Sequence, residues 1–124
     1  MAETLGTAHW PTEIRLARDR RTLDVAFDDG TRYALPAELL RVESPSAEVQ
    51  GHSPRQKQLV GGKRAVAITA VEPVGHYAVR LVFDDGHESG LFTWRYLHEL
   101  GRDRDRVWRR YLEALAGAGM SRDG

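Results

Sequence analysis

Hydrophobic residues occupy every second position from Tyr77 to Phe83, which is the pattern of a strand with one buried face. Asp85-Gly86 follows, and Asp-Gly between two extended segments predicts a tight hairpin because glycine tolerates a positive φ. A return strand is expected over residues 87–92, and Thr93 is a suitable N-cap for a helix after it. The apolar residues of that helix are Trp94, Tyr96, Leu97 and Leu100.

A similar segment lies earlier in the chain. A short strand is predicted over residues 13–17, a second over 22–27 and a third over 31–35, with Asp-Asp-Gly at 28–30 between the last two. Pro36 suits the first position of a helix, where its missing N–H is not needed. The unit of strand, Asp-Asp-Gly, strand and helix therefore occurs twice. This repetition predicts two similar layers on one core, and convergence on a favourable turn is the alternative.

The rest of the chain completes an α+β prediction. Residues 43–63 are rich in Ser, Pro, Gly and Gln, which is typical of a functional or mobile loop. Residues 65–74 alternate like a strand, although Pro73 argues against a central position in a sheet. Residues 103–116 carry one apolar stripe at helical spacing. We therefore predict two strand–DDG–strand–helix hairpin units forming a mainly antiparallel sheet, packed by short helices and one C-terminal helix.

Composition limits the domain organisation and the classes of partner. The 124 residues fit one domain over 10–116, with a flexible N-terminus over 1–9 and a flexible tail over 117–124. Eighteen basic side chains balance eighteen acidic ones, so we expect neither a nucleic-acid nor a membrane partner. Cysteine is absent, which excludes disulfides and thiol chemistry. The first residues lack a secretory signal pattern, so we expect a cytoplasmic protein.

Histidines are the candidate metal ligands in a chain without cysteine. A two-residue turn at Asp85-Gly86 would place Asp84 opposite His87, and a carboxylate can orient an imidazole for a metal ion. The alternative is a polar cross-strand pair that stabilises the hairpin end. His52, near Arg55 in the long loop, could join His87 in a zinc or iron site, contact an anion, or be a solvated loop residue. The helix residue His98 is expected to be exposed.

No sequence pattern indicates a catalytic centre. Ser89-Gly90 is not a nucleophile elbow, and Gly61-Gly62-Lys63 lacks the spacing of a phosphate-binding loop. No histidine is followed two residues later by Asp or Glu, so the facial triad of non-heme iron enzymes is missing. We therefore expect no enzymatic activity. Four aromatic residues could bind a partner or pack on the sheet; they are Trp94, Tyr96, Trp108 and Tyr111.

Two stretches resemble the gamma-butyrobetaine hydroxylase-like N-terminal domain family. They read LPAELLRVESPSAEVQGH at 35–52 and VEPVGHYAVRLVFDDGHESGLFTWRYLHELG at 71–101. The resemblance implies an α+β domain that stands alone in small bacterial proteins. It also precedes the iron- and 2-oxoglutarate-dependent oxygenase domain of carnitine-pathway hydroxylases and is fused to Mrp-type iron–sulfur carriers. The implied partner is therefore an oxygenase or an iron–sulfur carrier.

The resemblance also implies a place for zinc. In the hydroxylases three cysteines and one histidine hold a structural zinc ion, and the histidine matches His87. The cysteines would fall where this chain has Val42-Glu43-Ser44-Pro45-Ser46. Only the histidine of that ligand set is therefore retained.

Three hypotheses follow from these observations. The first is a non-catalytic accessory or protein-interaction domain. The second is a small metal-binding protein that uses His87 and His52 with a carboxylate. The third is a small enzyme of unrecorded type. The interaction surface of the first hypothesis comprises Arg41, His52, Arg55, Asp84 and His87.

Overall fold

Two three-stranded antiparallel sheets and three helices make up the described part of the chain, which covers residues 9–46, 49 and 58–124 of a computed structural model. The sheets have the strand orders β1-β2-β3 and β4-β5-β6, so every strand pairs with its neighbour in sequence. The α+β prediction is confirmed. The elements are β1 Pro11–Leu16, β2 Thr22–Phe27, β3 Arg32–Pro36, α1 Ala37–Val42, β4 Ile68–Val74, β5 Ala78–Phe83, β6 Leu91–Thr93, α2 Trp94–Arg102 and α3 Arg104–Gly117.

Both Asp-Asp-Gly loops contain three residues, and the predicted two-residue turn is wrong. In the second hairpin Phe83 N donates to His87 O at 2.9 Å, and Gly86 N donates to Phe83 O at 3.1 Å. In the first hairpin Phe27 N donates to Thr31 O at 2.9 Å, and Gly30 N donates to Phe27 O at 3.1 Å. Gly86 has a φ of 93°, so the loop combines a type I turn with a left-handed glycine. His87 consequently lies opposite Phe83 and not opposite Asp84.

Element boundaries differ from the predicted ones where backbone pairing stops. The return strand predicted over residues 87–92 is only Leu91–Thr93, because the chain before it leaves the ladder. Pro36 is the last residue of β3 and the N-cap of α1, with an extended ψ of 141°. Thr93 is confirmed as the N-cap of α2, since its hydroxyl accepts a bond from Tyr96 N at 3.1 Å. Pro73 lies in β4, which is an edge strand and therefore needs no second ladder of hydrogen bonds.

A single large core joins the two sheets to α1 and α2. Each fully buried large aliphatic or aromatic side chain contributes about 1.5–3 kcal/mol, so these residues dominate the folding free energy. A smaller cluster of Val42, Tyr111 and Leu115 holds α3 against the end of α1. The fully buried core side chains include Leu23, Leu35, Leu39, Leu40, Ile68, Leu81, Phe83, Phe92 and Leu97.

The C-terminal residues contact both α1 and the segment before β4. Arg122 donates to both carboxylate oxygens of Glu38, at 2.9 and 2.6 Å, and its guanidinium lies 5.2 Å from the Trp108 ring centroid. Arg64 forms a second bidentate pair with Asp123. Within the described residues, no helix is long and apolar enough to cross a membrane.

Candidate functional site at the second hairpin end

The carboxylate of Asp85 is the charged centre of the second hairpin end. Its Oδ2 lies 2.7 Å from Arg41 Nε and 2.6 Å from Lys63 Nζ, and its Oδ1 accepts a bond from His87 N at 3.0 Å. Burial alone would raise the pKa of Asp85, but the hydrogen bonds from Lys63, from His87 N and from Arg41 lower this pKa to about 2. Asp85 is therefore ionised at neutral pH and holds together Arg41 of α1, Lys63 at the end of the long loop, and the hairpin.

His87 points away from these charges into a pocket of hydroxyl groups. Its Nε2 lies 2.9 Å from Ser44 Oγ and 3.3 Å from Ser46 Oγ, and the two hydroxyl oxygens are themselves 3.3 Å apart. Ser44 has no exposed surface and His87 is 9% exposed. The backbone at Gly90 approaches so closely that a Cβ there would lie 2.3 Å from Ser44 Oγ. The hydroxyl pocket is thus tightly packed.

The structure brings only part of the predicted site together. Arg41 and His87 both lie at the hairpin end, as expected. Asp84 does not pair with His87: its Oδ1 accepts from Ala67 N at 3.1 Å, because the three-residue loop turns Asp84 towards the start of β4. His52 and Arg55 lie outside the described residues, so their part in the site stays a prediction.

Four contributors to the site were not predicted. The sequence predicts Asp85 only as a turn residue, although an Asp carboxylate in a turn often accepts a hydrogen bond from the backbone N–H two residues later. Lys63 comes from the long loop, where no local pattern indicates its partner. Ser44 and Ser46 occupy the stretch where the family resemblance places cysteines, and that resemblance was the available signal.

The described residues do not fit the structural zinc ion implied by the resemblance. The spacing of Ser44 Oγ, Ser46 Oγ and His87 Nε2, 2.9–3.3 Å, is close to that between ligands of a tetrahedral ion. Zinc, however, is held in proteins by thiolate, imidazole and carboxylate, and a neutral hydroxyl is not in that set. His87 is therefore the single strong donor of the hydroxyl pocket among the described residues, and the serines satisfy it by hydrogen bonding.

The contact between Ser44 and His87 has the length of a nucleophile–base pair but not its accessibility. A catalytic hydroxyl has to reach a substrate atom, with the base positioned by a third group. Ser44 is fully enclosed, and His87 Nε2 is also contacted by Ser46. The pair is therefore suited to fixing the hairpin end.

An apolar groove lies between the end of α1, residues 58–60 and α3. Its volume is about 280 Å³. Tyr111 forms part of its wall and donates a hydrogen bond to Val60 O at 2.5 Å. Burial raises the pKa of the Tyr111 phenol to about 12, so it remains a donor over the physiological range. The residues that line the groove are Val42, Glu43, Gln58, Leu59, Val60, Arg110, Tyr111 and Ala114.

The aromatic residues divide between core and surface. Trp94 and Tyr111 are buried, which confirms packing for these two. Tyr96 is half-buried, and its hydroxyl donates to Glu43 O at 2.5 Å beside the groove. Burial raises the pKa of Tyr96 above its ordinary value, with smaller contributions from Glu43 and Glu99. The aromatic set is therefore not one continuous binding face.

Comparison with known proteins places this geometry in a family. The chain is similar to two proteins solved by NMR, each with a TM-score of 0.81. The first is 51% identical over 93% of this chain and 90% of that one. The second is 45% identical over 98% of this chain and 90% of that one. A crystal structure of a DUF971 family protein of unknown function from Acidithiobacillus ferrooxidans is 45% identical, with a TM-score of 0.62, over 73% of this chain and 91% of that one. No curated protein matches. The family model described as gamma-butyrobetaine hydroxylase-like, N-terminal matches residues 14–98, so this chain belongs to that family.

Proposed function

We propose that this chain is a cytoplasmic, non-catalytic accessory domain that binds a partner protein through the apolar groove and the adjoining hairpin end. The observation that carries the proposal is the groove, which is open, mostly apolar and formed by three separate segments of the chain. The family resemblance suggests the class of partner: an iron- and 2-oxoglutarate-dependent oxygenase or an Mrp-type iron–sulfur carrier.

The size and chemistry of the groove favour a protein segment as its occupant. Its volume of about 280 Å³ is at the lower end of the range of about 300–1,000 Å³ that is usual for small-molecule and cofactor pockets. Leu59, Val60 and Ala114 offer apolar contact, while Glu43 and Arg110 place one charge of each sign among the lining residues. An apolar anchor side chain with polar neighbours on either side matches this arrangement.

The hairpin end supports a binding role by holding the groove in shape. Val42 and Glu43 line the groove, and the flanking residues Arg41 and Ser44 are fixed by Asp85 and His87. A groove that is already ordered loses less conformational entropy when a partner binds. The Ser44 hydroxyl is enclosed, and the negative charge of Asp85 is balanced by Arg41 and Lys63. Both features favour a structural role for this cluster over a reactive one.

A pair of substitutions on one helix tests the groove. Ala114 is exposed on α3 and lines the groove, whereas Ala116 is exposed on the same helix and does not line it. Ala114→Arg would fill the groove without touching the core, and Ala116→Arg is the matched control. The untagged chain is immobilised, and the purified oxygenase and iron–sulfur carrier from the same source are passed over it in a biosensor measurement.

We expect one of these two proteins to bind, with affinity reduced by at least about tenfold in Ala114→Arg and unchanged in Ala116→Arg. The interaction proposal is wrong if neither protein binds, or if Ala114→Arg binds as well as the parent chain. A separate measurement addresses catalysis. Turnover of a trimethylammonium acid with 2-oxoglutarate by this chain alone would overturn the non-catalytic part.

A further inference from the structure

Three metal-ligand side chains meet at the first hairpin end. Asp29 Oδ2 lies 3.0 Å from His98 Nε2 and 3.2 Å from His9 Nδ1, and the three ligand atoms are all within 4.8 Å of one another. The sequence-based expectation of an exposed His98 is wrong. This residue is 7% exposed, because it lies on the side of α2 that packs over β3, and the His9 ring stacks on it.

The hairpin loop orients the carboxylate towards the two rings. Asp29 Oδ1 accepts bonds from Thr31 N at 2.9 Å and from Thr31 Oγ1 at 2.6 Å, which directs Oδ2 to the histidines. Those Thr31 bonds, with a smaller contribution from His98, lower the pKa of Asp29 well below its usual range. Trp10 exchanges hydrogen bonds with Asp28 at 3.2 and 2.8 Å, which holds the adjacent residue His9 at the loop.

We propose that His9, Asp29 and His98 form a binding site for a divalent transition-metal ion of the Zn²⁺ type. Two imidazoles and one carboxylate are a common ligand set for such ions, and water can complete the coordination. Zinc binds these atoms at about 2.0–2.2 Å, so tetrahedral ligands lie about 3.3 Å apart. The distance from Asp29 Oδ2 to His98 Nε2, 3.0 Å, is close to this spacing, although this contact is a hydrogen bond in the structure. His9 Nδ1 lies 3.2 Å from the same oxygen, and its ring has to turn before the nitrogen can join the same ion.

The state of His9 is the second observation that favours a ligand. Its Nδ1 is buried and makes no hydrogen bond to any described residue, although the carboxylate oxygen of Asp29 is 3.2 Å away. The direction of the nitrogen is thus unsuitable for a bond to that oxygen. A buried polar atom without a partner is costly, and a shared cation would satisfy it.

Binding requires one ring to turn. The His9 and His98 rings are stacked, with centroids 3.6 Å apart and an angle of 4°, so their nitrogen lone pairs lie in parallel planes. An ion shared by both has to lie near each ring plane. His98 is held edge-on by Phe27 and Tyr33, at centroid distances of 4.9 and 5.5 Å, whereas the His9 side chain is 30% exposed. His9 is therefore the ring that moves, and metal binding breaks the stack.

The test is a calorimetric titration of the full chain, without an affinity tag, with Zn²⁺. The absorption spectrum of bound Co²⁺ reports the type of ligands. The variants are His9→Gln and Asp29→Asn; the asparagine retains an Oδ1 acceptor for Thr31, so the loop is preserved. His76→Gln is the matched control, because His76 is exposed in the β4–β5 turn. Ring-proton NMR of His9 and His98 follows the predicted loss of stacking.

We expect one Zn²⁺ per chain, and a loss of affinity of more than about tenfold in His9→Gln and in Asp29→Asn, since even outer-sphere changes cost 10–100-fold. His76→Gln should bind like the parent chain. The proposal is refuted by an absence of binding, by binding that survives His9→Gln, or by binding that is lost in His87→Ala instead. Because the groove variant Ala114→Arg leaves these ligands intact, failure of this site and failure of the interaction proposal are separate outcomes.

Discussion

Replacing Asp85 by asparagine removes the charge that holds the second hairpin end together. The substitution keeps the shape of the side chain and an oxygen that can accept from His87 N. It leaves Arg41 and Lys63 without their shared carboxylate. The Arg41 side chain is only 12% exposed, and its buried Nη1 makes no hydrogen bond to the part of the chain that the structure describes. We therefore expect Asp85→Asn to be less stable than the parent chain at neutral pH, through a loss of charge and not of packing.

The magnitude follows from the pKa of Asp85, which falls from 3.8 to about 2 on folding. A pKa difference of one corresponds to about 1.36 kcal/mol, so the charge of Asp85 contributes about 2 kcal/mol to the free energy of unfolding. Screening by water at this exposed loop reduces the contribution to about 1.5 kcal/mol. Because the folded pKa is lowered, this stability is complete above the unfolded pKa and is lost as pH falls through the folded pKa. At pH ~3 about half of it remains.

Urea denaturation followed by tryptophan fluorescence measures this free energy of unfolding at a series of pH values between about 7 and 3. The difference between the parent chain and Asp85→Asn should shrink below pH ~4. Asp84→Asn is the control from the same loop, since Asn keeps the acceptor for Ala67 N. Equal stabilities at neutral pH, or a difference that does not change between pH ~7 and ~3, would refute the assigned role of the Asp85 charge.

Three further predictions concern the tail, the hydroxyl pocket and the cysteine positions that the resemblance implies. Arg122→Ala leaves Glu38, whose side chain is 7% exposed, without its bidentate partner. We therefore expect the free energy of unfolding, measured by heat or urea, to fall by about 2 kcal/mol. Arg64→Ala breaks an exposed ion pair and should lower it by less than about 1 kcal/mol. Gly90→Ala places a Cβ 2.3 Å from Ser44 Oγ and should destabilise the fold by about 1–3 kcal/mol. Gly117→Ala, at the open end of α3, should be neutral or stabilising. Equal effects of the two substitutions on unfolding would contradict the tight packing of the hydroxyl pocket. Ser44→Cys combined with Ser46→Cys places two thiols beside His87 Nε2 and should add one Zn²⁺ per chain to the content of the parent chain. Metal analysis after dialysis should show that this additional Zn²⁺ is lost again on His87→Ala.

Local patterns were sufficient for most of the secondary structure. The strand over residues 22–27 was predicted with its observed bounds, and Thr93 was predicted as the cap of α2. These features depend on neighbours within about four residues, where side-chain period and backbone preference act directly. The loop type of the hairpins was missed, because Asp-Gly favours both a two-residue turn and the end of a three-residue one.

The site depended on tertiary packing to a greater degree. The sequence by itself determined an α+β fold with two Asp-Asp-Gly hairpins, because hydrophobic alternation and turn chemistry are local properties. Only the folded structure decided that Asp85 binds Arg41 and Lys63, that Ser44 hydrogen-bonds to His87, and that His9 stacks on His98. Those partners are far apart in sequence, and their contacts follow from how the two sheets and α2 bury a shared core. No local pattern encodes such packing.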